Sequence, residues 1–155
     1  MTAMEILRRC RSAAADVAKM QQKIDQRRDA LTCIAPSGTT PSGKNQGAAS
    51  KDKTGTLIAD IDELEQALKE RNNQQLAETM AVLVLLDLLP KTSSDVLYRY
   101  YIKRQSVPRI AVALRYTDGY VRKVKADAEE QLSALSEQQV AEALPAWYLR
   151  EVKAK

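Results

Sequence analysis

Three short stretches of helical periodicity follow one another between Leu89 and Leu132, and this layout constrains the fold more than any other feature of the chain. In each stretch the apolar residues recur every three or four positions, as on one face of a helix. Breaks at Lys103–Gln105 and Arg115–Tyr116 separate the stretches. Short helices joined by tight turns are typical of a helix-turn-helix, in which the last helix enters the major groove of DNA.

The helix starts and buried faces of this segment can be assigned from residue types. Thr92, Ser106 and Thr117 are expected to cap the three helices, because hydroxyl oxygens accept hydrogen bonds from first-turn amides. Pro108 is compatible with the start of the second helix, where first-turn amides have no intrahelical partner. The residues expected to be buried are Val96, Leu97, Tyr100 and Tyr101, then Ile110, Ala111, Ala113 and Leu114, then Val121, Val124, Ala128 and Leu132.

The charge of the chain is concentrated in the same segment. Between Lys91 and Lys125 there are nine basic and two acidic residues, a net charge of +7 in a chain whose total is +4. The rest of the protein is therefore slightly acidic. A basic segment of this kind indicates contact with the phosphates of a nucleic acid.

The third helix is expected to carry the residues that read base edges in its first turns. Arg122 and Lys123 are predicted to contact DNA, with plain solvation as the alternative. Arg122 is the candidate for a base contact and Arg109 for a phosphate contact. Tyr120 has two interpretations, a phosphate hydrogen bond or packing against the second helix. The full predicted DNA-binding set is Ser106, Arg109, Thr117, Asp118, Gly119, Tyr120, Arg122 and Lys123.

A wider set of residues in this segment matches a known pattern without a gap: Leu89-Pro90, Val96-Leu97, Tyr101, Ser106, Ile110-Ala111, Leu114, Thr117, Val121-Arg122, Ala126, Ala128 and Leu132. In these residues the segment resembles region 4 of the bacterial sigma-70 family. The resemblance implies promoter binding through the third helix and docking on RNA polymerase through another surface. Two positions depart from the pattern. Gly119 has no side chain where many members carry an acidic one, and Arg115 replaces the usual turn glycine.

Two long helical patterns joined by a loop precede this segment. The first runs from Ala3 to Cys33 with a heptad-like series, and the second runs from Thr56 to Leu89. The loop, residues 35–55, holds four of the five glycines and two of the five prolines, a composition typical of a linker. Two helices of this length joined by a loop are expected to fold back as an antiparallel hairpin. The heptad-like series is Leu7, Cys10, Ala14, Val17, Gln21, Ile24, Arg28 and Leu31, and the clearest seam of the second helix contains Leu64 and Leu68.

The loop carries a further signature, Ile34-Ala35-Pro36-Ser37-Gly38 followed by Pro41-Ser42-Gly43. With this loop between two helices and the basic segment after them, residues 1–135 resemble a family of small phage and prophage proteins from Gram-positive bacteria. Members end in a sigma-region-4-like helix-turn-helix. The resemblance implies a phage regulator of transcription.

The tail, residues 136–155, is predicted to be an added helix. Ser136 and Gln139 have capping-box spacing, and Pro145 should kink or split the helix. Trp147 is the only tryptophan. Packing of its ring on the preceding domain is favoured over binding a partner.

Several classes of function are excluded by composition. The chain has no histidine and no CxxC pair, which argues against a zinc site and removes the commonest general base. The loop lysines Lys44 and Lys53 lack phosphate-loop spacing.

Cys10 and Cys33 lie about 34 Å apart on one predicted helix, too far for a disulfide. The N-terminus lacks a signal-peptide pattern, and the apolar run 81–89 is too short to span a bilayer, so we expect a protein of the bacterial host cytoplasm.

Together these observations predict an all-α protein with three parts: a helical hairpin (1–89), a helix-turn-helix domain (90–135) and a helical extension (136–155). The expected function is non-enzymatic, sequence-specific control of transcription through double-stranded DNA, without a cofactor. One such module reads few base pairs, so a homodimer is favoured, with RNA polymerase as the other candidate partner. The alternatives are a DNA-recognition subunit for phage DNA packaging, like a small terminase subunit, and a polymerase-binding protein that does not contact DNA.

Overall fold

The computed structural model describes residues 1–34 and 46–154, and within these ranges the chain forms helices and turns but no strand. The predicted all-α class is confirmed. Seven α-helices are described, with one π-helical turn, Tyr98–Ile102, directly after the third. The α-helices are α1 (Ala3–Ile34), α2 (Gln46–Leu86), α3 (Lys91–Leu97), α4 (Val107–Leu114), α5 (Asp118–Ser133), α6 (Glu137–Ala143) and α7 (Ala146–Lys153).

The long helices agree with the sequence prediction except at the start of α2. This helix begins at Gln46, so the predicted loop is wrong for residues 46–55, while residues 35–45 lie outside the described part. The alanines and lysines around Gly55 are good helix formers, and one glycine costs a helix only about 1 kcal/mol. At its other end α2 tightens, with i→i+3 bonds from Leu88 and Leu89 before Pro90. No described helix is long and apolar enough to cross a membrane.

The chain divides into two units. The compact unit comprises Met1–Ala15 and Gln74–Lys155, and the long-helix unit comprises Asp16–Asn73. Helices α1 and α2 therefore contribute residues to both. Each cysteine is free, with Cys10 buried in the compact unit and Cys33 exposed in the long-helix unit.

The main core of the compact unit joins four parts of the chain. Apolar side chains from the start of α1, the end of α2, the segment around α3 and α5, and the tail meet in one cluster. This cluster fixes the tail and the first turns of α1 against the end of α2. Its fully or nearly buried members are Ala3, Ile6, Leu7, Cys10, Ala81, Val82, Leu85, Leu86, Leu97, Tyr101, Ala128, Leu132, Val140, Leu144 and Tyr148.

A smaller core lies between α3, α4 and α5. Val96, Ile110, Ala111 and Val121 are buried there, with Leu114 and Val124 partly buried against them. The predicted buried faces are confirmed with one exception. Ala113 is exposed. Successive helical residues turn by about 100°, which places Ile110, Ala111 and Leu114 on the buried side of α4 and Ala113 outside it.

The predicted helix caps have three different outcomes. The Thr117 hydroxyl accepts a hydrogen bond from the Tyr120 amide at 3.2 Å, as predicted. Ser106 occupies the N-cap position of α4, but its hydroxyl makes no cap bond. Thr92 is not a cap: Pro90, with extended ψ of 151°, precedes the helix, and Thr92 falls within its first turn.

In the tail, the capping box is confirmed, with Gln139 N donating to Ser136 Oγ at 3.2 Å and Ser136 N donating to Gln139 Oε1 at 2.9 Å. Pro145 separates α6 from α7, also as predicted. The packing of Trp147 on the preceding domain stays a prediction: the residue is 40% exposed, and its ring lies edge-on to Tyr148. The buried aromatic is the next residue, Tyr148, whose hydroxyl donates to the buried Glu78 carboxylate.

The long-helix unit has little apolar burial. Ile24 and Ile61 are its buried residues among those whose side chains are described, and Leu64 and Leu68 are half-buried. The seam positions Gln21 and Arg28 are exposed. Ion pairs connect the two helices within this unit, joining Arg28 to Glu65, Arg27 to Asp60 and Arg71 to Asp16.

Candidate nucleic-acid interface

Helix α5 has two sides with opposite character. Val121, Ala128 and Leu132 form its buried stripe. All four residues predicted to face DNA from its first turns, Asp118, Gly119, Arg122 and Lys123, are exposed. The sequence therefore located an exposed surface at the capped start of a helix, where free amides and the positive end of the helix dipole favour negative charge.

Gly119 has open space in front of it. A Cβ added there would meet nothing within 4 Å, so no neighbouring atom excludes a side chain. Because Gly119 has no side chain, the backbone of α5 is uncovered between Asp118 and Tyr120. A partner can therefore approach the helix backbone closely at this position.

Tyr120 packs on Tyr116, a residue of the turn between α4 and α5. Its ring lies edge-on to Tyr116, with centroids 4.8 Å apart, and 45% of the residue stays exposed. The hydroxyl end therefore remains accessible to solvent or to a phosphate. The sequence analysis did not assign Tyr116 to this surface. Its four-residue spacing from Tyr120 was the signal that the two rings could be in contact.

The turn between α4 and α5 has a left-handed residue. Arg115 ends α4 with φ 59° and ψ 42°, and the following amide, Tyr116 N, donates to Ala111 O at 2.9 Å. Glycine is the usual residue in this conformation, because a Cβ raises its energy by about 1–2 kcal/mol. An arginine therefore occupies a backbone conformation that favours glycine. Its charged side chain is exposed beside α5.

Most of the positive charge of the segment is available at the surface. Seven of the nine basic residues between positions 91 and 125 are exposed, including Arg109 on the first turn of α4. Ser106, also in the predicted set, is exposed immediately before that helix. All eight predicted residues are therefore exposed, and they lie at the start of α4, at the start of α5 or directly before these helices.

Lys125 has a structural environment that the sequence did not reveal. Its ammonium lies 4.3 Å from the centre of the Tyr100 ring and 2.9 Å from Glu129 Oε1. Glu129 Oε1 also accepts a hydrogen bond from the Tyr101 hydroxyl at 2.6 Å. Burial, followed by this bond to a carboxylate, raises the pKa of Tyr101 above its usual range. Lys125 and Glu129 therefore link α5 to the π-helical turn.

These contacts build a basic surface on a firmly packed three-helix support. What it can do chemically is bind anions through guanidinium, ammonium and hydroxyl groups. Comparison with protein-family models, with curated proteins and with solved structures finds no match to this chain.

Proposed function

We propose that the protein is a sequence-specific, non-enzymatic regulator of transcription that binds double-stranded DNA through the first turns of α5. The observation that carries this proposal is the exposure of Arg122 and Lys123 at the capped start of α5, on a helix whose other side is buried. In a helix-turn-helix this is the part of the recognition helix that contacts base edges.

The packing of α3, α4 and α5 supports the helix-turn-helix assignment. Ile110 and Ala111 of α4 meet Val121 of α5 in one small core, and only residues 115–117 separate the two helices. The buried residues of this core are among the positions in which the segment resembles sigma-70 region 4. We propose that the protein belongs with the phage and prophage proteins that carry such a module.

Each reading residue has a distinct chemical role in this proposal. Arg122 can donate two hydrogen bonds to a guanine, and Asp118 can accept one from a cytosine amino group. Asp118 also stabilises the start of α5, because a carboxylate there lies at the positive end of the helix dipole. Arg109 and Tyr120 contact phosphates and set the orientation of the module.

The two long helices are proposed to form an antiparallel hairpin that brings two DNA-binding modules together in a dimer. The ion pairs support the hairpin: as positions rise on α1 from Asp16 to Arg28, their partners on α2 fall from Arg71 to Glu65. A dimer would double the number of base pairs read. RNA polymerase is the other candidate partner.

The proposal is tested by selecting bound sequences from random DNA and then measuring the affinity of variants for the selected and a random duplex. Arg122→Ala should lose about 1–3 kcal/mol on the selected sequence and much less on the random one. Arg109→Ala should weaken both equally. Arg150→Ala, which removes an exposed arginine from α7, is the matched control and should change neither.

Salt dependence and mass separate the alternatives. Contact with about five phosphates predicts a slope of about −4 to −5 for log affinity against log salt. A protein that selects no sequence and has a slope near zero would contradict the proposal and favour the polymerase-binding alternative. Ring-sized oligomers in light scattering would favour DNA packaging.

A further inference from the structure

A second basic surface in the compact unit is lined by none of the eight predicted residues. It is an open cavity of about 460 Å³ between the first turns of α1 and the π-helical turn with the residues after it. Three arginines line it, and no carboxylate does. Its polar and aromatic lining residues are Arg8, Arg11, Ser12, Tyr100, Tyr101 and Arg104.

Arg11 is held in place but lacks a hydrogen-bond acceptor for part of its guanidinium. Its Cζ lies 3.9 Å from the centre of the Tyr100 ring, so the planar group stacks on the aromatic face. Its Nη1 is buried and has no hydrogen-bond partner among the described residues. A buried N–H without an acceptor is unfavourable, so the Arg11 guanidinium at the cavity lining keeps an unused hydrogen-bond donor.

Arg104 has a backbone conformation that favours glycine. Its φ is 55°, and it shares this left-handed backbone with Arg115 as one of two such non-glycine residues in the described chain. Its side chain is exposed at the rim of the cavity. A strained backbone that carries a charged side chain is consistent with a role for that charge in binding.

The cavity is connected to α5 through Tyr100. Arg11 and Lys125 each contact the Tyr100 ring. On α5, Arg122 precedes Lys125 by three residues, and residues so spaced are neighbours on a helix surface. Through Tyr100 and Lys125 the cavity therefore adjoins α5, the helix that carries Arg122.

We propose that this cavity binds a phosphate of the DNA backbone next to the base pairs that α5 reads. The inference rests on the proposed function and adds to it a contact made by α1. Guanidinium groups suit this ligand because their paired N–H donors match phosphate oxygens, and Ser12 offers a further donor. A phosphate held here would fix the position of the module along the duplex without reading sequence.

The test compares wild type with the double variant Arg8→Gln, Arg104→Gly on the selected and the random duplex over a range of salt. Loss of one phosphate contact should make the salt slope shallower by about 0.9 and lower affinity roughly eightfold at 0.1 M salt, equally on both duplexes. Arg150→Gln, Lys153→Gln removes two charges from α7 and should leave the slope unchanged. Arg104→Gly suits the left-handed backbone, so the thermal midpoint of this single variant should not fall.

The outcomes are distinguishable. Wild type that binds neither duplex would overturn the proposed function and this inference together. Wild type that binds, with an unchanged slope in the double variant, would overturn the phosphate site alone. A loss confined to the selected duplex would assign these arginines to sequence reading instead. If the double variant instead loses only binding to purified RNA polymerase, the cavity recognises an acidic protein surface and the phosphate proposal is wrong.

Discussion

The compact unit and the long-helix unit share α1 and α2 but differ in how much apolar surface those helices bury. In the compact unit α1 buries Ala3, Ile6, Leu7, Cys10, Ala13 and Ala14, while in the long-helix unit Ile24 is its buried residue among the side chains that the structure describes. Several further elements pack around the helices in the compact unit. Two helices alone share a single seam, so most of each helix stays in water.

This difference should appear in stability. Burial of apolar side chains contributes about 1.5–3 kcal/mol each, whereas an exposed ion pair contributes about 0–1 kcal/mol. The ion pairs of the long-helix unit are largely exposed, which leaves that unit the weaker of the two. The two can be followed separately, because all six tyrosines and the single tryptophan lie in the compact unit and the chain has no phenylalanine.

The largest predicted effect comes from the compact core. Leu85→Ala removes a fully buried side chain and should cost about 2–5 kcal/mol, lowering the midpoint of the near-UV circular dichroism transition. Ile24→Ala should lower the temperature at which helix signal is first lost in the far-UV without moving the near-UV midpoint. Leu76→Ala, at a leucine of α2 that is 61% exposed, is the control. Equal near-UV shifts for Leu85→Ala and Ile24→Ala would mean that the two units unfold together.

A medium effect is expected at high pH, and only in the compact unit. Burial, followed by the bond to Glu78, raises the pKa of Tyr148. The native state therefore keeps a proton that the unfolded chain releases above about pH 10, so this contribution to stability is complete below pH 10 and is lost as pH rises further. Tyr148→Phe should cost about 0.5–1.5 kcal/mol at pH 8 and make the fall above pH 10 less steep.

Urea unfolding at pH 8, 10 and 11, followed in the near-UV, measures this dependence. Arg9 pairs with Glu78 at 2.9 Å in wild type and is unchanged by this substitution, so the buried carboxylate should keep one partner. Tyr116→Phe alters an exposed tyrosine and serves as the control. A fall above pH 10 that is equally steep in Tyr148→Phe would contradict the role given to this residue.

The smallest predicted effect belongs to the ion pairs of the long-helix unit. Arg28→Gln with Glu65→Gln removes an exposed pair and should cost at most about 1 kcal/mol, because water and salt screen such charges. The far-UV transition should shift slightly at 0.05 M salt and not at 1 M salt. A loss as large as that of Leu85→Ala would mean that charge, and not apolar burial, holds this unit together.

Local chemistry made parts of the structure predictable. The Ser136–Gln139 capping box, the Thr117 cap and the break at Pro145 depend on residues within a few positions of one another, and each was confirmed. The exposed start of α5 followed in the same way from periodicity. Where two neighbouring residues competed for one buried position, the sequence was insufficient, as with Trp147 and Tyr148. The buried position depended on Glu78, which lies 70 residues away.

The basic cavity was not predictable for the same reason. Arg8 and Arg11 belong to a helix that reads as part of a coiled-coil-like body, and nothing local connects them with Tyr100. The prediction for the start of α2 is wrong for a different reason: Gly47 and Gly55 indicate a linker, but the alanines and lysines around them favour a helix. Helix propensity summed over the whole stretch was the better guide there.

Of the two thiols on α1, one is buried and one is exposed, so only one is accessible to covalent modification. Burial raises the pKa of the Cys10 thiol, whose Sγ lies 3.8 Å from Thr79 Oγ1, so it is protonated and shielded from reagents. Cys33 is exposed. In air-oxidised samples two chains joined through Cys33 would give a covalent dimer unrelated to any association through the helices. Cys33→Ser therefore makes light-scattering masses interpretable, while in wild type Cys33 accepts a single fluorophore without disturbing the compact unit.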